Sequence, residues 1–179
     1  MIGGTNDTSG ALRRMNLTQR TNLMKLFSFA ALFTFSFLAM PAAAQDLIFH
    51  PDPTLDCLDD ATDTAMRHAC IGVAANLCIL ETDSGSSTPV MGGCLDRERA
   101  WWDARLNDVY GQLLQQYDKQ PEVAERMRDM QRIWITYRDA RCDYEGAQWG
   151  RGTGVGPALI ACAMTATAEQ TLFLESNLR

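Results

Sequence analysis

The sequence has little of what metal and phosphate sites require. It contains only two histidines, and its six cysteines include no Cys-x-x-Cys pair, so ligand spacing argues against a zinc site. A glycine run, Gly150-x-Gly152-x-Gly154-x-Gly156, lacks the preceding strand and the following Gly-Lys-Ser/Thr of a phosphate-binding loop. We therefore predict no metal and no cofactor, and interpret the glycine run as a flexible connection between helices.

Catalytic residues are equally scarce. Ser84, Ser86 and Ser87 share one loop, and His68 is the nearest base in sequence. The sequence has no nucleophile elbow and no known order of triad residues. We expect a binding protein rather than an enzyme, with no catalytic residue to assign.

An apolar segment near the N terminus predicts export. Lys25 precedes the apolar run Leu26–Met40, and a proline and three alanines then supply a small-x-small cleavage site. The run is shorter than the roughly 20 residues that span a bilayer. We therefore expect residues 1–44 to be removed as a signal peptide, the alternative being a retained membrane anchor. Met24 and Met15 are better starting points for such a signal than the first residue, and no cysteine near the site offers lipid attachment.

Lysine is nearly absent from the exported part. Removal of residues 1–44 takes away four of 16 basic and one of 22 acidic side chains, which leaves 12 and 21 and a net charge of −9. Only Lys119 among the twelve is a lysine. Such a surface repels nucleic acid and anionic membranes and favours encounter with a cationic partner.

All six cysteines lie in the exported part, and an even number there predicts disulfides. Cys70 and Cys78 cannot pair along one continuous helix, because eight residues at 1.5 Å rise separate them by about 12 Å. Two other pairs bracket the Ser/Gly loop and the glycine-rich loop. Among the fifteen pairings that six cysteines allow, we favour Cys57–Cys70, Cys78–Cys94 and Cys142–Cys162.

Apolar residues recur at helical spacing through most of the exported part, and no strand is predicted. Residues 45–54, with two prolines, predict an extended lead-in, and residues 55–179 predict a single domain. The fold class is therefore all-α, a small disulfide-stapled antiparallel bundle of three main helices with one or two short helices in front. The predicted helices cover 55–67, 70–80, 94–117, 121–145 and 157–178.

One predicted helix carries an unusual mixture of arginine and aromatic residues. Trp134 and Tyr137 share a stripe along it. We expect Asn107, Arg138 and Asp139 to form a polar clamp where this helix crosses the preceding one. Because arginine and aromatic side chains also recognise sugars and carboxylates, ligand binding at this place is the alternative.

Two strings of residues are distinctive together: Leu-Asn-x-x-Tyr at 106–110 and Trp-x-x-Tyr-Arg-Asp-Ala-x-Cys at 134–142. With the flanking cysteines and the glycine-rich loop, they resemble the LprI-like N-terminal domain family, named for a lysozyme inhibitor and found in many exported bacterial proteins. The match covers roughly Cys78 to Leu178, and the resemblance implies four family cysteines, with Cys57 and Cys70 in an added N-terminal part. The motif and candidate binding residues are Asp103, Leu106, Asn107, Tyr110, Gln131, Trp134, Tyr137, Arg138 and Asp139.

The resemblance implies an exported, periplasmic or secreted binding protein that inhibits lysozyme-like muramidases, with a cationic protein such as lysozyme as its partner. An acidic stretch (Asp56, Asp59, Asp60 and Asp63) would then give a fast, salt-sensitive encounter. The loop at 84–91 or the loop at 146–156 would occupy the cleft of the enzyme. The alternative is an envelope structural or protein-interaction module with no enzyme target.

Overall fold

The structure, a computed structural model, describes residues 46–179, and the expected signal peptide at 1–44 lies outside them. This part of the chain contains six helices and no strand, which confirms the all-α prediction. The helices are α1 (Asp52–Asp60), α2 (Thr64–Ala69), α3 (Val73–Glu81), α4 (Thr88–Gln116), α5 (Pro121–Ala147) and α6 (Val155–Glu175). None of them combines the length and the apolar character needed to cross a membrane.

The three long helices form the body of the domain. Both α4 and α5 pack against α6, while α3 packs against α4 and α1 packs against α3. The apolar stripe predicted along α4 is buried, and Trp102 is completely inaccessible at its middle. Further along α4, Leu106 and Leu113 meet Met127 of α5 and Leu174 of α6 in one apolar cluster. Burial of these stripes against α6 fixes the arrangement of the bundle.

The predicted helix over residues 55–67 is wrong in its extent, because two helices occupy this region. α1 begins at Asp52, so the predicted extended lead-in is shorter than 45–54. Proline is tolerated in the first helical turn, where its missing N–H would have no partner, and Pro53 stands there. Asp63 adopts an extended conformation, and its side chain accepts a hydrogen bond from the Met66 amide at 2.8 Å. This N-cap starts α2 as a separate helix.

α4 begins earlier than the sequence predicted, at Thr88 instead of Cys94. Pro89 lies in its first turn, where proline favours helix initiation. Two glycines follow. A Cβ at Gly93 would lie 2.6 Å from the Leu47 side chain, so the lack of a side chain at this position lets the segment before α1 pack against α4. The Ser/Gly loop is therefore shorter than its composition suggested.

Three disulfides connect successive elements, and they are the three favoured pairs. Cys57–Cys70 joins α1 to the turn after α2, Cys78–Cys94 joins α3 to α4, and Cys142–Cys162 joins α5 to α6. Their Cα atoms lie 5.6, 5.7 and 5.5 Å apart, respectively. No cysteine remains free, so none is available as a metal ligand or a nucleophile.

A buried carboxylate connects the short helices to α4. The side chain of Glu98 is fully buried. Its Oε1 accepts hydrogen bonds from the Gly72 amide at 2.8 Å and from Trp102 Nε1 at 3.0 Å. Its Oε2 accepts one from the Ala75 amide at 2.6 Å, and the Thr54 hydroxyl donates to Oε1 at 3.3 Å. Glu98 therefore satisfies N–H groups at the start of α3, which have no partner within their own helix.

Two glycines provide opposite tests of this fold. A Cβ at Gly85 would lie 1.7 Å from the Ile79 carbonyl oxygen, whereas a Cβ at Gly111, inside α4, would meet nothing within 4 Å. We expect Gly85→Ala to lower the free energy of unfolding by about 2 kcal/mol, because the loop backbone must move. Gly111→Ala should raise it by about 0.5–1 kcal/mol through helix propensity. Urea unfolding of the oxidised proteins measures both, and equal effects of the two substitutions would contradict the loop geometry.

Candidate functional site

A groove of about 520 Å³ lies between α4 and α5. These two helices both pack on α6 and approach each other less closely, which leaves space between them. Seven of the nine candidate binding residues line this groove: Asp103, Leu106, Asn107, Tyr110, Gln131, Trp134 and Arg138. Residues from two separate strings of the sequence thus share one surface, and their role in binding stays a prediction.

The α5 wall of the groove is built from an arginine and a tryptophan. The guanidinium of Arg138 lies over the Trp134 ring, 5.1 Å from its centroid. Arg138 also contacts the carboxylate of Asp139, with Nε at 2.9 Å and Nη2 at 2.8 Å from Oδ1. A cation over an aromatic face is attracted by the quadrupole of the ring. Stacking and ion pairing together therefore hold the guanidinium in one position.

The predicted polar clamp between the two helices is wrong. Asn107 donates to the Asp103 carbonyl oxygen at 2.8 Å and to Asp103 Oδ2 at 3.3 Å, all within α4. Arg138 pairs with Asp139, its neighbour on α5. Side chains four residues apart on one helix face each other, and the long Arg138 side chain reaches its sequence neighbour Asp139 without crossing the groove. Each helix thus satisfies its own polar groups, and the groove between them stays open.

Two of the candidate residues do not line the groove. Asp139 holds Arg138 from outside, and Tyr137 faces away, with 62% of its surface exposed. Tyr137 instead lines a second, more apolar groove of about 830 Å³ with Ile133 and Phe173, which are also exposed.

The sequence did not identify two further arginines of the α4–α5 groove, Arg128 and Arg132. Arg128 pairs with Glu125 at 3.3 Å, and Arg132 pairs with Asp129. The hydrogen bond from Arg132 to Asp129 raises the pKa of this arginine above its usual value. Arg128 precedes Gln131 by three residues and Arg132 by four, and this helical spacing was the signal available in the sequence.

A second surface feature is an acidic face on α1. Four aspartates at helical spacing are exposed there: Asp52, Asp56, Asp59 and Asp60. Among the residues that the structure describes, none of these four carboxylates takes part in a salt bridge. Asp63, the fourth aspartate of the predicted acidic stretch, caps α2 instead. The face therefore presents uncompensated negative charge to solvent.

The two loops named as candidates from the sequence differ in structure. The loop after α3 contains Ser84 at φ 60°, a left-handed conformation that is uncommon for serine. The glycine-rich loop exposes 58% of Trp149, whose ring covers Gly154 so closely that a Cβ there would lie 2.8 Å from it. Gly154 thus permits the packing of the loop on its own tryptophan, and the glycine-rich segment connects α5 to α6 as predicted, while its flexibility stays a prediction.

Comparison with known proteins identifies a family and a relative of this chain. The family described as lysozyme inhibitor LprI matches residues 78–174, a range that holds every candidate binding residue and four of the cysteines. An uncharacterised 17.7 kDa protein from the puhA 5′ region of Rhodobacter capsulatus is 27% identical over 151 residues, which cover 78% of this chain and 90% of that protein. No solved structure matches the chain.

Proposed function

The chain belongs to the lysozyme inhibitor LprI family, and on that premise we propose that it is an exported periplasmic protein that binds and inhibits lysozyme-like muramidases. The family match over residues 78–174 is the observation that carries this proposal. Three disulfides support export, because such bonds persist in oxidising compartments outside the cytoplasm.

The acidic face of α1 supports a cationic target. Its aspartates are exposed and form no salt bridge in the described part of the chain, and the exported chain has a net charge of −9. Complementary charge accelerates the encounter of two proteins and makes it sensitive to salt. α1 lies outside the residues matched by the family. We therefore infer that its acidic face changes the rate of encounter with the target, while the family domain makes the inhibitory contact.

A lysis assay tests inhibition. A cationic c-type lysozyme clears a suspension of bacterial cell walls, and the oxidised protein should slow the loss of turbidity at micromolar excess and low salt. Bovine serum albumin, another acidic protein, controls for non-specific binding to the enzyme. Unchanged lysis at micromolar excess would contradict inhibition of the enzyme tested.

Charge neutralisation on α1 should slow association. Replacing Asp56, Asp59 and Asp60 with asparagine should lower the association rate constant for lysozyme about tenfold at low salt, because three uncompensated charges are removed. Surface plasmon resonance measures this rate.

The matched control removes the same number of charges from scattered positions. Asp83, Asp118 and Asp143 are exposed and take part in no salt bridge of the described residues, and their replacement with asparagine gives the same net charge. We expect a smaller effect from this control. Equal rates for the two triple variants would show that net charge, and not the α1 face, steers the encounter.

A second candidate function is an envelope interaction module without an enzyme target. The exposed apolar groove beside Ile133, Tyr137 and Phe173 favours it, since large exposed apolar patches mark interaction surfaces. Pull-down from a periplasmic extract separates the two candidates. Recovery of a muramidase favours inhibition, whereas recovery of another envelope protein that is lost on Tyr137→Ala favours the module.

A further inference from the structure

One side-chain amide that lines the α4–α5 groove has an NH₂ group without an acceptor among the described residues. Gln131 lines the groove and is only 8% exposed. Its Oε1 accepts a hydrogen bond from Gln170 Nε2 at 2.9 Å, which holds the amide in place. Within residues 46–179, its own Nε2 donates no hydrogen bond. This Nε2 reaches solvent, since Ser87 Oγ is the one buried side-chain polar atom without a partner in residues 46–179. The amide is therefore free to donate to an acceptor inside the groove.

Arg138 supplies a second, oriented donor. Both of its contacts to Asp139, through Nε and Nη2, go to the same carboxylate oxygen. A guanidinium carries five N–H groups, so the edge formed by Nη1 and the second N–H of Nη2 is left for other partners. That edge matches a carboxylate, which it binds with two parallel hydrogen bonds. The stacking on Trp134 fixes its direction before any ligand arrives.

The opposite wall offers acceptors. Asn107 Nδ2 donates to the main-chain carbonyl oxygen and to Oδ2 of Asp103, and these two hydrogen bonds hold the amide. In the described part of the chain, Asn107 Oδ1 and Asp103 Oδ1 accept no side-chain hydrogen bond. Hydroxyl and acetamido N–H groups donate to oxygens of this kind. The groove thus has acceptors on α4, donors on α5 and an aromatic ring at its edge.

We propose that the α4–α5 groove binds a short saccharide that carries a carboxylate. The sugar hydroxyl and amide groups meet Asp103, Asn107 and Gln131, and the carboxylate meets the free edge of Arg138. The groove volume of about 520 Å³ is in the range of small-molecule sites. A neutral saccharide would leave Arg138 unused, and a simple carboxylate would leave the α4 wall unused. This binding requires no muramidase and goes beyond inhibition.

Two disaccharides of equal length test the proposal. N-acetylglucosaminyl-N-acetylmuramic acid carries a carboxylate, and di-N-acetylchitobiose does not. Titration of the oxidised protein, followed by amide chemical shifts, should show saturable binding of the acidic disaccharide. We expect its affinity to exceed that of the neutral one about tenfold, as a charge-assisted bidentate contact implies. The absence of saturable shifts up to about 10 mM of either sugar would overturn the proposal.

Variants assign the contacts. Arg138→Gln should abolish the preference for the acidic disaccharide, Arg138→Lys should retain part of it, and Gln131→Leu should weaken both ligands about tenfold. Arg126→Gln is the matched control, because this arginine is on the same helix, 88% exposed in its side chain and outside the groove. Circular dichroism confirms the fold of each variant. An unchanged preference in Arg138→Gln, or an equal loss in Arg126→Gln, would contradict the proposed site.

Discussion

Replacing Glu98 with alanine should lower the free energy of unfolding by about 4 kcal/mol, because a buried acceptor of several hydrogen bonds is lost. The amides of Gly72 and Ala75 and the indole of Trp102 would lose their acceptor together. Each buried donor left without a partner costs roughly 1–3 kcal/mol. The effect exceeds that of an ordinary core substitution because one side chain joins α1, α3 and α4.

Glu98→Gln should have an intermediate effect of about 2 kcal/mol. An amide of the same shape retains one acceptor oxygen, but its NH₂ group faces backbone N–H groups at the start of α3. Urea unfolding followed by tryptophan fluorescence gives these values. Amide hydrogen exchange provides a local readout, since Gly72 and Ala75 should exchange faster in both variants.

The control for this prediction is an exposed glutamate of the adjacent helix. Glu81→Ala removes the same side chain from the surface end of α3. Surface substitutions of this kind usually change stability by less than about 0.5 kcal/mol. If Glu98→Ala were no more destabilising than Glu81→Ala, the buried hydrogen-bond network would not hold the N-terminal helices.

Removal of the Cys78–Cys94 bridge should cost about 3–4 kcal/mol. The chain-entropy effect of a loop of this size is roughly 3 kcal/mol, and the bridge closes a separation of 16 residues. Both cysteines are buried beside Val90, so replacement by two alanines also leaves space in the apolar cluster. Chemical denaturation of the double variant measures the loss.

The Cys142–Cys162 bridge serves as the comparison. Its separation of 20 residues predicts nearly the same entropic contribution. The two cysteines are slightly more exposed, so their alanine variant should lose somewhat less stability than the Cys78/Cys94 variant. Mass spectrometry of a non-reduced digest verifies that the remaining bridges are unchanged in each variant. A loss below about 1 kcal/mol for both would contradict a stabilising role for the bridges.

The long helices were predictable because their apolar periodicity extends over many turns. The stripe through Trp102, Leu106 and Leu113 is a strong helical signal, and prolines in first turns marked the start of α5. The same rule would have placed the start of α4 at Pro89 and of α1 at Pro53. In both places, loop-forming residues nearby outweighed the proline signal, and the predicted boundaries were wrong.

The sequence singled out residues that share one groove, but it did not predict the geometry of that groove, and the role of these residues in binding stays a prediction. The helical spacing of the motif residues was enough to place most of them on the sides of α4 and α5 that line the groove. It could not show that both helices pack on α6 and leave a space between them. The predicted clamp failed for that reason. Glu98 was missed although a signal existed, since it stands four residues before Trp102 on the apolar stripe of α4, where a carboxylate requires partners.

Direct binding to lysozyme tests the central claim most closely. Isothermal titration calorimetry of the oxidised protein with a cationic c-type lysozyme should give one-to-one binding at about 20 mM salt and weaker binding at about 300 mM salt, where exposed charges are screened. The Asp56, Asp59 and Asp60 triple variant should lose most of this salt dependence. The absence of measurable heat at both salt concentrations, for a correctly disulfide-bonded protein, would contradict the account.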